Sequence, residues 1–236
     1  MPHTSLTLSQ AAGYLCLPAQ QVKKAADRGD IPSRRFNGEL LFLRDDIHRW
    51  IEQHIGDSNE NELEGVESRL EQSGLTHAEV SVANLIPADG MALPLQARTR
   101  DSAIRSMVQL AMKTGLLWDA EEMTDAVKKR EELHTTALDN GVALLHPRRP
   151  MPNILGDSFL TLGKLPSGIP FGGGSSSLTD IFFLICSTDD KIHLTILTRL
   201  SRILTYSDFL KQLRELDDER SVRGLIQETE TAIVSS

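Results

Sequence analysis

An early change in the sign of the charge restricts this chain more than any other feature. From Pro18 to Arg49, seven basic residues (Lys23, Lys24, Arg28, Arg34, Arg35, Arg44, Arg49) stand against five acidic ones (Asp27, Asp30, Glu39, Asp45, Asp46), a local net of +2. From Gly56 to Leu75, six acidic residues (Asp57, Glu60, Glu62, Glu64, Glu67, Glu71) face Arg69 alone, a net of −5. A run of like charge repels itself and stays solvated, so the acidic stretch reads as a spacer, with Leu63, Val66 and Leu70 on one face of a short helix inside it. At 236 residues the chain also exceeds the common size of one domain. The expected division is therefore a small domain over 1–55, an acidic linker over 56–79 and a larger domain over 80–236.

The whole-chain charge of −8 argues against a general nucleic-acid binder, while the local surplus in the first domain leaves DNA open. The longest uniformly apolar run, Ile181 to Cys186, is far too short to cross a bilayer. The amino terminus, Met-Pro-His-Thr-Ser, has no basic segment followed by an apolar run, and the expectation is a soluble cytoplasmic protein with no membrane partner. Cys16 and Cys186 sit among apolar neighbours and read as buried, reduced thiols; no disulfide, metal site or cofactor is expected.

In the first domain, Thr7-Leu-Ser-Gln10 is a capping box opening a short helix through Leu15, and Cys16-Leu17 forms a turn. Pro18 suits the first turn of a second helix running to about Arg28, with Val22, Ala25 and Ala26 inward and Gln20, Gln21, Lys24 and Arg28 outward. Asn37-Gly38 between Ser33-Arg-Arg-Phe36 and Leu40-Leu-Phe-Leu43 signals a hairpin, a small wing. Asp45 or Asp46 then caps a third helix carrying Ile47, Trp50 and Ile51. The order of Leu6-Thr7, Ala11-Ala12, Leu15, Arg28-Gly-Asp-Ile-Pro32 and Asp46-Ile-His-Arg-Trp-Ile51 resembles the excisionase or MerR-type winged helix-turn-helix. That resemblance implies duplex DNA as a partner, with Gln20 and Gln21 reading base edges, Lys24 and Arg28 beside them, and Arg34 and Arg35 reaching phosphates or the minor groove. The other account of the same residues is a protein-interaction module with a solvated basic face.

In the larger domain, periodicity predicts a strand over Met91 to Gln96, a helix from Arg100 to Thr114 and a second helix from the capping-box-like Asp119-Ala-Glu-Glu122 to beyond Arg130. Strands are expected at Val142 to Leu145, Phe159 to Leu162 and Leu178 to Ile185, and helices at about Asp190 to Leu204, Ser207 to Leu216 and Arg220 to Ala232. In the first of those helices Leu194, Leu197, Leu200, Ile203 and Leu204 form an inward face. The Gly172-Gly-Gly-Ser-Ser-Ser177 run lacks the Lys-Ser/Thr of a phosphate loop and reads as a hairpin connection, and no Gly-x-Ser-x-Gly elbow supports a hydrolase triad. The fold class is α/β, a mixed sheet flanked by helices.

Chemistry concentrates at Arg130-Glu-Glu-Leu-His-Thr-Thr-Ala-Leu-Asp-Asn-Gly-Val-Ala-Leu-Leu-His146. A charged helix end, an Asp139-Asn140-Gly141 turn and a short apolar strand deliver an imidazole at the strand end. A lone histidine there could simply make a structural hydrogen bond. A neutral imidazole in that place is also a nucleophile, and an anionic phosphoryl product would need a guanidinium and a second imidazole, for which Arg130 and His193 are the right types.

The run closely resembles the signature of the fructose/mannitol-type IIA domain of the bacterial sugar phosphotransferase system, its nitrogen-regulatory branch included. His146 falls on the phosphorylated position, and His193-Leu-Thr-Ile-Leu-Thr-Arg-Leu on the segment of the family's second active-site histidine; the separations, 16 residues from Arg130 to His146 and 47 from His146 to His193, also fit. Four positions depart from the family's habit: Leu145 stands where proline is usual, Pro147 where glycine or alanine is usual, His134 where glycine is frequent, and Ala137, after Thr136, where glycine is usual. The resemblance implies a phosphorylated HPr-type carrier as donor, His146 as acceptor, His193 as hydrogen-bond donor to the phosphoryl group and Arg130 as its charge partner. Regulatory target proteins are further expected partners. The alternative function is an IIA-like protein-interaction module with a helix-turn-helix adaptor, whose altered Leu145-His146-Pro147 site no longer accepts phosphate and only docks partners.

Overall fold

The computed structural model describes residues 5–15, 18–44, 46–47, 50, 80–172 and 178–234. Cys16-Leu17, Asp45, Ile51, the expected acidic linker with the short helix expected inside it, and positions 173–177 of the glycine-serine run lie outside them. The chain divides into two compact units, Met1–Thr76 and His77–Ser236.

The first unit opens with a strand the sequence pattern gave no reason to expect, β1 (Ser5–Thr7), followed by α1 (Leu8–Tyr14), α2 (Ala19–Arg28), β2 (Arg34–Phe36) and β3 (Glu39–Leu43). β1 and β2 both pair antiparallel with β3, giving a three-stranded sheet in the order β1-β3-β2. Three residues are too few to display alternation, and β1 exists because β3 offers it a free edge. Thr7 Oγ1 accepts from the Gln10 backbone N–H and Gln10 Oε1 accepts from the Thr7 backbone N–H, so the capping box is complete. Gly29, at φ +84, ends α2 in the left-handed conformation that suits glycine. Asn37 and Gly38 both have positive φ, the geometry of a tight hairpin turn, and form the wing tip. Ala11, Leu15, Val22, Ile31, Phe42 and Ile47 close a small core.

The second unit contains α3 (Val82–Leu85), β4 (Met91–Ala92), α4 (Arg100–Lys113), α5 (Ala120–Leu133), β5 (Val142–Leu145), β6 (Phe159–Pro170), β7 (Leu178–Cys186), α6 (Asp190–Thr205), α7 (Phe209–Glu215) and α8 (Glu219–Val234). The four-stranded sheet runs β4-β6-β7-β5; β4 is parallel to β6, β6 antiparallel to β7, and β5 parallel to β7. β4 is shorter than the expected Met91–Gln96 strand: the chain turns at Leu93-Pro94, and Pro94 has no N–H to extend the ladder, although Leu95 still donates to the Lys164 carbonyl at 2.7 Å. β6 is longer than expected because it continues past Leu162 along its antiparallel partner, with a register shift between Lys164 and Ile169.

Side-chain alternation divides the core. Ala143 and Leu145 of β5, and Phe182, Leu184 and Cys186 of β7, pack with Ile104, Met107 and Val108 of α4 and Met123 and Val127 of α5. The intervening residues, Val142 and Leu144, Ile181, Phe183 and Ile185, are also buried and face the opposite side, where α6 lies on β7. All five apolar positions expected on the inner face of α6 are buried. Burial pushes the Cys186 thiol far above its ordinary range, consistent with an inert, reduced side chain. No helix among the described residues is long and apolar enough to cross a membrane.

Candidate functional site

Two parallel neighbours set the site. β5 and β7 run together to their carboxyl ends, with Leu145 level with Leu184, so the residues that follow each strand emerge at the same sheet edge. After β5 comes His146. After β7 comes Ser187, then the Asp189 cap of α6, which accepts from the N–H groups of Lys191 and Ile192, and His193 in the first turn. The two imidazoles meet edge to face, centroids 5.2 Å apart and planes at 61°.

Arg130 arrives from the last turn of α5. Its Nε donates to His146 Nε2 at 3.2 Å and its Nη1 to the His134 carbonyl at 2.9 Å, which ties the guanidinium to the helix end. Nδ1 of His146 lies 2.7 Å from the Leu144 carbonyl oxygen, which can only accept, so Nδ1 carries the proton. Nε2 then holds the lone pair, and it is the nitrogen turned to Arg130. Arg130, His146 and His193 are 6%, 3% and 0% exposed, so water competes little for these contacts. The constellation is a neutral imidazole with its nucleophilic nitrogen fixed by the backbone, a permanent cation against it and a second imidazole alongside.

The approach to β5 depends on a residue to which the sequence pattern assigned no role. Glu131 is buried, and its carboxylate accepts from Thr135 Oγ1 (2.8 Å), from Thr136 N (3.0 Å to each oxygen) and from Thr136 Oγ1 (2.6 Å). Arg100 Nη2 lies 3.1 Å from the same carboxylate and donates to the Glu131 carbonyl at 2.7 Å. Thr136 in turn accepts from Leu144 N at 3.1 Å, so the Glu-x-x-x-Thr-Thr spacing builds the turn that aims β5. Further along, Gly141 has φ +88, and Arg214 holds the turn by pairing with both Asp180 oxygens (2.7 and 2.9 Å) and donating to the Asn140 carbonyl at 2.7 Å. The Asp180 carboxylate, bonded to Arg214, raises that guanidinium's already high pKa. Ser187 was likewise missed: its hydroxyl sits 2.9 Å from His193 Nδ1, and only its place after β7 could have pointed to it.

In the other unit, Gln20, Gln21, Lys24 and Arg28 share the exposed face of α2, and Arg34 and Arg35 are exposed on β2. Part of this charge is already engaged. Arg35 meets Asp27 at 2.7 Å, Lys23 meets Asp27 at 3.1 Å and Arg28 meets Asp30 at 2.8 Å. The hydrogen bond from Lys23, with Arg35 beside it, holds the Asp27 carboxyl below the usual carboxylate range. Lys24 and Arg34 have no carboxylate partner among the described residues. Among those residues no group of histidine, cysteine and carboxylate side chains could hold a metal ion.

Residues 84–229 match the family model described as phosphoenolpyruvate-dependent sugar phosphotransferase system, EIIA 2, and residues 5–55 match that of a helix-turn-helix domain. The fructose-specific EIIABC component of Bacillus subtilis is 22% identical over 63% of this chain, which spans 23% of that protein's length. A nitrogen regulatory protein of Bradyrhizobium diazoefficiens is 26% identical over 61% of this chain and 94% of its own. Among solved structures, IIA mannitol from Escherichia coli superposes with a TM-score of 0.53 at 22% identity, covering 59% of this chain and 96% of that one, a likeness of fold.

Proposed function

The chain belongs to the phosphotransferase-system EIIA type-2 family and carries a helix-turn-helix domain ahead of it, and from that premise we propose that it is a cytoplasmic regulatory phosphocarrier. In this proposal 1–55 binds duplex DNA, 56–79 is the linker and 80–236 accepts phosphate. The observation that supports it best is the pairing at His146: Nδ1 fixed on the Leu144 carbonyl and Nε2 turned to the Arg130 guanidinium beside His193.

Nε2 of His146 attacks phosphorus, its lone pair forming the new P–N bond. The bond from phosphorus to the imidazole of a phosphorylated HPr-type carrier breaks, and its electron pair returns to that imidazole. Arg130 moves from Nε2 to the phosphoryl oxygens, and His193 donates to one of them. The product adds about 1.5 to 2 negative charges to a nearly dry site, which is the signal available for regulating DNA binding or target proteins.

A second reading rests on Pro147, which removes a backbone donor beside the phosphoryl position; the domain would then dock partners without taking phosphate. Incubation with a phosphorylated HPr-type carrier separates the two. Acid-labile label on the full chain supports the phosphocarrier, and complex formation without label supports the docking module.

A further inference from the structure

Ser187 is fully buried, immediately after β7, and its hydroxyl lies 2.9 Å from Nδ1 of His193. Its backbone is fixed as well: the Ser187 carbonyl accepts from Met151 N at 3.1 Å, in the segment that follows His146. Next to it, Thr188 N donates to Ser158 Oγ at 3.0 Å, and the two hydroxyls are 2.9 Å apart. His193 is itself held in the first turn of α6 by its N–H to the Asp189 carbonyl, at 3.1 Å. The helix thus places the residue, and the Ser187 hydroxyl meets its ring at Nδ1.

Resting on the phosphoryl-acceptor reading of His146, we propose that Ser187 is a positioning residue whose hydroxyl donates to His193 Nδ1 and so keeps the single proton of that neutral imidazole on Nε2. A neutral imidazole has one N–H. If the Ser187 oxygen accepted from Nδ1–H, the lone pair on Nε2 would face the anionic phosphoryl oxygens and repel them. With Ser187 donating, His193 presents an N–H to those oxygens without acquiring a charge of its own. The same serine secures, through its carbonyl, the chain that leaves His146, so both imidazoles refer to one residue.

Long-range proton–nitrogen correlation on the imidazoles of the uniformly ¹⁵N-labelled, unphosphorylated full chain tests this. The wild type should show His193 as the Nε2–H tautomer, Ser187→Ala a mixture of tautomers, and Ser187→Thr, which restores the hydroxyl, the wild-type pattern. With a phosphorylated HPr-type carrier, Ser187→Ala should lower kcat about tenfold at unchanged KM, the scale of one lost hydrogen bond, and Ser187→Thr should recover most of it. Ser187→Cys, close in size with a weaker donor, should fall between and serves if the alanine variant does not fold. A wild-type spectrum of the Nδ1–H tautomer, or a Ser187→Ala spectrum and kcat identical to wild type, overturns the proposal. If the wild type takes no phosphate, the acceptor reading of His146 fails while the tautomer comparison still decides the role of Ser187.

Discussion

Pro147 follows His146 directly and contributes no backbone N–H, so in the proposed phosphohistidine the phosphoryl oxygens depend on side chains, chiefly Arg130 and His193. His193→Ala should therefore still accept label, because the nucleophile remains, but transfer should slow by about a hundredfold, the usual cost of one preorganised donor. A rate unchanged in that variant would remove His193 from the site. Glu131 bears on stability more than on chemistry. Glu131→Ala leaves Thr135, Thr136 and Arg100 without their shared carboxylate, and should cost about 3 kcal/mol, read as a lower denaturant midpoint at unchanged slope. A midpoint equal to wild type would show that the turn is held by other contacts. At this scale the sequence was informative where residue type and spacing carry chemistry: Arg130, His146 and His193 do converge. The roles of Glu131 and Ser187 were not legible, because a carboxylate four residues before Thr135 and a hydroxyl six before His193 form no recurring pattern until the intervening turns are folded.

The element that matters most is the connection from α5 through the Asp139-Asn140-Gly141 turn into β5, since it delivers both Arg130 and His146. Gly141 has φ +88, and a Cβ there would stand 2.7 Å from Arg214 Nη2 and 3.0 Å from Asp180 Oδ1. Gly141→Ala should thus destabilise by more than about 1 kcal/mol, combining left-handed strain with displacement of the Arg214–Asp180 pair. The matching Gly115→Ala, at φ +75 with nothing within 4 Å, isolates the strain alone. Equal losses in the two variants would mean the ion pair moves aside freely. Most elements were legible because helices of fourteen or sixteen residues repeat their apolar spacing several times. β1, of three residues, is defined by its partner β3 and no local pattern carries that information, while β4 was legible as a strand at Met91 but not in its end, which the turn at Leu93-Pro94 sets.

For the whole molecule, the two proposed chemistries belong to separate units, and the proposed DNA binding is the more sensitive to salt. Binding of the full chain to duplex DNA should weaken with a log–log slope of about −0.9 per phosphate neutralised. Arg34→Ala should lower that slope by about one, whereas Gln20→Ala or Gln21→Ala should leave the slope and relax sequence choice by about 1 to 3 kcal/mol. Arg35 already meets Asp27, so Arg35→Ala should change the slope less than Arg34→Ala. Slopes identical in all variants would favour a protein-interaction module. The two compact units part between Thr76 and His77, just after the acidic stretch, but the engagement of Arg28 and Arg35 by neighbouring carboxylates was not legible in the charge pattern, since formal charge counts ions and not their pairs.

His146 is the proposed acceptor of the phosphoryl group. Intact mass of the full chain after exposure to a phosphorylated HPr-type carrier, wild type beside His146→Ala, tests it most directly. The wild type should gain one phosphoryl group, lost in acid, and His146→Ala none. Equal phosphorylation of both proteins, or none on the wild type from a carrier that phosphorylates an authentic IIA domain, would contradict it.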